Sequence, residues 1–428
     1  MLFENVTILE ENGGSRTCCV GVSGNRICYI GTEKPDTDYG KVLQAGGSLL
    51  LPGLVNAHGH APMSLLRGYA ENMKLQDWLE KRVFPFEAQM EERDIYAGAM
   101  LSFAEMLRFG TVSTSEMYFS GRALFRAFCD SGIKGNIGVP FTADRDVPLE
   151  EHPVYREIRE LESMIEARND DQIRMDLSIH AEYSSIPNLV RQLADYNKEK
   201  KLSVHLHASE TRTEVEDCRK RHGMSPIRYF EENGIFDFPA LAAHCVWLTE
   251  DDRRILAKHK VTAVTCPVSN LKLASGICRV SKLLERGVPV AIGTDGPASN
   301  NSLNLWSDLK TMALLSKVSE DDPSAITPQQ ALAIATVNGA AAQQRYDCGC
   351  IRVGEKADLV LVDLDTPWMN PSHSLWNHML YSMQGSDVEL TMVDGKILYE
   401  NGEYPLMDIE HVIYEAKASA ASILRKLG

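Results

Sequence analysis

The sequence predicts an α/β protein, a (β/α)₈ TIM barrel over residues 53–347 with a small β-sandwich domain built from both chain ends, 1–52 and 348–428. Three observations predict it. Short apolar segments alternate with amphipathic helical stretches through the middle of the chain, the pattern of a parallel sheet covered by helices. Several of those segments end on a His or an Asp. Both chain ends have another texture, short strands separated by Asn-Gly, Asp-Gly and Gly-Gly turns.

In chain order, ENVTILEENGG, TCCVGVSGNRICYIG and KVLQAGGSLLLPGLVNAHGH open the chain as short strands broken by turns. The barrel strands are SLLLPGLVNAHGH, GTVSTSEMY, KGNIGVPFTAD, RMDLSIHAEYS, LSVHLHASE, PALAAHCVWL, VTAVTCPVSN and VPVAIGTDG, with helical stretches such as DIYAGAMLSFAEMLRF and ALFRAFCDSG between them. KADLVLVDLD and VELTMVDGKILYENGEY return to the hairpin texture, and the helix HVIYEAKASAASILRKLG closes the chain. Neither an internal repeat nor a Gly-rich phosphate loop of Walker or Rossmann type is present.

Composition excludes some partners. The 428 residues carry a formal charge of −15, which disfavours nucleic-acid phosphates and anionic lipid. No apolar run approaches a bilayer span, and the acidic start MLFENVTILEENGG reads as neither signal peptide nor anchor. Ten cysteines without a CxxC pair read as reduced thiols of a cytoplasmic protein, and do not support a zinc ribbon.

The ends of the strands carry the chemistry, because the C-terminal mouth of such a barrel is where active sites sit. His58 and His60 follow the first strand; at i and i+2 of an extended chain they share a side, and Gly59 leaves room between them. On the fifth strand His207 lies nearer the mouth than His205, so His207 is the expected ligand and His205 a deeper barrel residue. Asp295 ends the eighth strand. Three imidazoles and a carboxylate suit one divalent ion, Zn²⁺ in the first place, with Fe²⁺ or Mn²⁺ able to use the same donors. Such an ion lowers the pKa of a bound water to about 7.

Glu210, three residues after His207, is placed to shuttle a proton from that water to the substrate. His244, ending the sixth strand, would orient the water with Asp295, and His180, ending the fourth, could hold the substrate. His180-Ala181-Glu182 mimics the HxE of cytidine-deaminase-type zinc enzymes, but their Pro-Cys-x-x-Cys partner is missing. A bridged two-metal site would need a Lys near the end of the fourth strand, and RMDLSIHAEYS has none.

With these residues in hand, the chain resembles the amidohydrolase superfamily and, within it, the 5′-methylthioadenosine/S-adenosylhomocysteine deaminases. PGLVNAHGHAPMSLLRGYAE, HASET, AAHCVWL, PVSNLKLASGI, GTDGPASNNSLN and GEKADLVLVDLD carry the resemblance along nearly the whole chain. It implies metal binding by His58, His60, His207 and Asp295, proton transfer by Glu210 and assistance by His244. It also implies that Glu87 binds ribose hydroxyls, that His180 contacts the nucleoside, that Trp78 lies in the loop covering the pocket, and that the protein is a homo-oligomer. Members that accept S-adenosylhomocysteine hold its carboxylate with arginines after the third strand. GVPFTADRDVPLEEH offers only Arg145, with Arg156 in the next helix, so a nucleoside with an uncharged 5′ end is expected. Guanine or pterin deamination and triazine hydrolysis would use the same machinery, and a catalytically silent barrel is the remaining alternative.

Overall fold

The computed structural model describes residues 1–428 apart from residue 144. The N-terminal strands are β1 (Leu2–Leu9), β2 (Ser15–Ser23), β3 (Arg26–Gly31), β4 (Val42–Gln44) and β5 (Ser48–Pro52). Next come β6 (Leu54–Gly59), β7 (Thr111–Met117), β8 (Lys134–Phe141), β9 (Ile173–Ile179), β10 (Val204–Ala208), β11 (Ala240–His244), β12 (Thr262–Thr265) and β13 (Val290–Ile292). The last are β14 (Leu359–Asp363), β15 (Val388–Val393) and β16 (Lys396–Glu400).

Strands β6 to β13 are parallel and pair in chain order as one eight-stranded sheet. The sheet closes where Gly59 bridges Asp295, whose N–H donates to the His58 carbonyl at 3.1 Å. This is the expected (β/α)₈ barrel. All eight sequence segments form strands, with one division. SLLLPGLVNAHGH is cut at Gly53, so SLLLP joins the other sheet as β5 and only LVNAHG enters the barrel. The position needs a glycine, since a Cβ on Gly53 would lie 2.2 Å from Val112.

The chain ends meet through β5, which pairs antiparallel with β14 and parallel with β1. β1 also pairs with β2 and β4, so this second sheet of eight strands is branched. Strand alternation gives it two apolar faces. Leu49, Leu51, Val360, Val362 and Val388 belong to the barrel's core. Leu50, Leu359, Leu361, Leu390 and Met392 instead share a separate cluster with Phe3, Ile8, Val20 and Ile27. One sheet thus folds over its own core and supplies both layers of the small sandwich.

The helix Glu92–Arg108 starts at a reciprocal cap, Glu91 with Asp94, and the chain-closing helix Ile409–Leu427 buries Val412, Ala416 and Ile423. Residues 61–90 between β6 and that first helix form short helical turns over the barrel mouth, and these bring Glu87 to the site.

Candidate active site and metal centre

Six titratable side chains from four strand ends converge at the C-terminal mouth. His58, His60, His207, Glu210, His244 and Asp295 are all buried. Asp295 Oδ1 stands 3.4 Å from His58 Nε2 and 3.2 Å from His60 Nε2, and the Nε2 atoms of His60 and His207 face each other at 3.3 Å. Donor atoms of His58, His60 and Asp295, and likewise of His58, His207 and His244, lie within 4.8 Å of one another.

The far side of each imidazole decides what the near side can do. His60 Nδ1 donates to the Met117 carbonyl at 2.5 Å and His207 Nδ1 to the His180 carbonyl at 2.8 Å. Each Nε2 therefore keeps its lone pair. His58 Nδ1 meets His205 Nε2 at 2.8 Å, and His58 Nε2 is buried with no hydrogen-bond partner. Two facing lone pairs and an orphaned third nitrogen, beside a carboxylate oxygen, fit one divalent cation. Burial drives the His58 pKa down to about 3, against the pull of Asp295, so that ring is neutral as a ligand must be. His205 is thus the partner of a proposed ligand, donor to none of the converging lone pairs itself.

Asp295 is held from behind: its Oδ2 accepts from Ser269 Oγ at 2.6 Å and Ser299 Oγ at 3.1 Å. His244 Nδ1 donates to Asn270 Oδ1 at 2.9 Å, which turns its Nε2 toward Glu210 Oε2, 3.7 Å away. Burial raises the Glu210 carboxyl above its ordinary pKa, with His244 opposing and Asp295 adding.

The backbone around these groups is strained. Ser209, His244, Cys245 and Asp295 have φ of 54°, 74°, 49° and 60°. Left-handed non-glycine residues cost on the order of 1 kcal/mol or more each and persist where packing imposes them. One source of that constraint is Glu214, which sequence reasoning missed. Its buried carboxylate accepts from the Ser209 and Glu210 N–H groups, both at 2.7 Å, and burial followed by the neighbouring Glu210 raises its pKa to about 7. Thr211-x-x-Glu214 is a readable capping-box signature, so the signal was available.

Tyr118 donates to Glu87 Oε1 at 2.6 Å. Burial lifts the Glu87 pKa to about 7, with the Tyr118 hydrogen bond and His60 opposing it, and the Tyr118 ring that holds Glu87 lies 6.5 Å from the His60 ring. Tyr118 was also missed, although it directly follows β7 as the other site residues follow their strands. His180 lies 5.0 Å from His207, ring to ring, with Nδ1 on Ser184 at 2.7 Å. Burial, then His60 and His244, lowers its pKa to about 4. Trp78 is packed in the apolar core under the 61–90 segment, its indole N–H on the Ala70 carbonyl at 3.1 Å. Arg145 and Arg156 are both exposed, and neither forms an ion pair with another described residue. The Glu182 of the false HxE motif faces away, paired with Arg221 at 2.6 Å and His222 at 2.9 Å.

Comparison with known proteins decides the family, for residues 49–398 match the model of the amidohydrolase family. The chain belongs to that family. A 5-methylthioadenosine/S-adenosylhomocysteine deaminase of Caldanaerobacter subterraneus subsp. tengcongensis is 37% identical over 99% of both chains. A 5′-deoxyadenosine deaminase of Methanothermobacter thermautotrophicus is 37% identical over 99% of this chain and 98% of its own. The crystal structure of an adenosine deaminase from Xanthomonas campestris with bound zinc is 31% identical, with a TM-score of 0.92 over 99% of this chain and 98% of that one. The amidohydrolase family is metal-dependent, and the His/Asp cluster of this member has the donors for it.

Proposed function

We propose that this amidohydrolase removes the 6-amino group of an adenine nucleoside by hydrolysis, giving the inosine analogue and ammonia, and that it prefers a nucleoside with an uncharged 5′ end. Family membership and the full-length likeness to named deaminases support hydrolysis of a C–N bond. The observation that carries the nucleoside reading is Glu87, a carboxylate at the mouth of the metal cluster with one oxygen on Tyr118. An acceptor-only group suits a vicinal diol. The exposure of Arg145 and Arg156 supports the uncharged 5′ end, met by 5′-methylthioadenosine, adenosine or 5′-deoxyadenosine, with S-adenosylhomocysteine the poorer substrate.

His58, His60, His207 and Asp295 would hold one ion, zinc in this reading. When bound, it supplies Lewis acidity that makes a water nucleophilic at neutral pH. Asp295 and His244 orient the attacking oxygen toward C6. Glu210 accepts the water's proton and delivers it to the ring nitrogen beside C6; the remaining hydroxyl proton on C6 then passes to the amino group, which leaves as ammonia as the C–N bond breaks and the 6-oxo bond forms. Glu87 and His180 fix the ribose and base while this happens. We place the enzyme in the cytoplasm, a reading supported by ten free cysteines, and expect a homo-oligomer on the family resemblance. Among the described residues no helix is long and apolar enough to cross a membrane.

The test is Glu87→Gln, assayed on adenosine. Charge-assisted hydrogen bonds are worth about 1.5–3 kcal/mol, so KM should rise about ten- to hundredfold with kcat little changed. Unchanged KM would remove the ribose from this reading and favour a free base.

A further inference from the structure

A chain of net charge −15 carries one concentrated basic groove, of about 870 Å³, beside the site rather than in it. Arg212, Arg219, Arg253, Arg279 and Lys282 line it, against one lining acid, Glu216. Val246, Trp247 and Leu248 make its apolar floor. The floor is built closely: the Trp247 indole N–H donates to the Ser275 carbonyl at 2.6 Å, and a Cβ on Gly276 would stand 2.8 Å from Val246.

The five cations are not equivalent. Arg253 pairs with Glu250 at 3.2 Å, Arg279 with Glu320 at 2.7 Å and Lys282 with Glu285 at 3.0 Å. Arg212 and Arg219 have no acid partner among the described residues. The Arg212 guanidinium carbon lies 4.5 Å from the centre of the Trp247 ring, a cation–π contact that leaves its N–H groups without an acid partner among the described residues. Arg219 is seven residues on, two turns along the same face of the helix Arg212–His222, a rise of about 10 Å. Two unspent guanidiniums at that spacing, in a groove also lined by three partly spent cations, suit an elongated polyanion better than a single tetrahedral one.

We propose that this groove binds a small molecule bearing adjacent phosphates, the chemistry shared by a nucleoside diphosphate and by free pyrophosphate. The phosphates lie along Arg212 and Arg219 and reach Lys282. The apolar floor beside them has room for an attached ring. The groove adjoins the segment that carries Glu210, since Arg212 is two residues beyond it and the Trp247 backbone N–H donates to the Ser209 carbonyl at 2.9 Å. The site is separate from the substrate reading above and stands or falls alone.

Titration calorimetry on the full-length, metal-loaded protein at low salt tests it, with uridine diphosphate and pyrophosphate as probes. A pyrimidine is used because adenine nucleotides could enter the active site. The expected result is saturable binding of either probe with one site per chain, weakened at least about tenfold in Arg219→Glu and again in Lys282→Glu. Both positions are on the surface, and retained substrate turnover certifies each variant as folded. Absence of binding by both probes, or affinity unchanged in both variants, overturns the proposal.

Discussion

Glu87 and His244 show how much depends on the state of single residues. Glu87 has its pKa raised by burial to about 7, well above the roughly 4.3 of a free Glu. Below pH 7 the folded enzyme holds it protonated, and a protonated carboxyl is a poorer acceptor for two ribose hydroxyls. KM for adenosine should therefore fall as pH rises through about 7, and the same profile should be flat in Glu87→Gln. A wild-type KM independent of pH between 6 and 8 would contradict that assignment. His244 combines an imidazole with a φ of 74°, so most substitutions would mix lost chemistry with backbone strain. Asn tolerates the left-handed region. His244→Asn should keep the wild-type melting temperature while kcat drops about 10²- to 10⁴-fold, the usual range for a group acting on a proton in flight. A variant with near-normal kcat would confine His244 to packing.

At the scale of elements, the site is a product of strand ends and of the contacts that pin them. His58, His60, His207 and Asp295 were legible in the sequence because an ionisable residue closing an apolar strand has few other reasons to be there. Glu214 and Tyr118 carried a local signal, a capping box and a strand end, but not their partners, and Asn270 was not singled out because its contact with His244 crosses elements that spacing does not encode. His205 shows the same limit: the sequence placed it deeper in the barrel, but not that its Nε2 would meet His58 Nδ1 at 2.8 Å. The apolar run SLLLPGLV reads as one barrel strand, although the expected 52/53 domain boundary falls at the step where the structure divides it between two sheets. Glu214 provides the test at this scale. Glu214→Gln keeps the side chain's shape but places a donor where two backbone N–H groups must be accepted, so the 209–211 loop should shift. A displacement of about 1 Å can cost up to 100-fold, so kcat should fall within that limit while KM and bound metal hold. Equal kcat in the variant would leave Glu214 a cap of its own helix and nothing more.

The whole molecule couples the barrel to the sheet made from the chain ends. We propose 1–52 with 348–428 as the small domain and 53–347 as the barrel, joined through buried charge. Lys134, at the start of β8, lies 2.8 Å from Asp358 and 2.9 Å from Asp394, both from the C-terminal segment. The barrel and its two-ended companion were legible from texture alone, whereas this junction was not, because a Lys in KGNIGVPF gives no sign of partners more than two hundred residues away. The basic groove was equally hidden, as its cations come from helices that each read as ordinary solvated surface. The central claim concerns what the assembled site does, and ammonia release by the metal-loaded enzyme tests it most directly. Adenosine, 5′-methylthioadenosine and 5′-deoxyadenosine should be turned over, S-adenosylhomocysteine clearly more slowly, and guanine and a chlorotriazine not at all. Ammonia from guanine, or chloride from the triazine, with none from any adenine nucleoside would contradict the account.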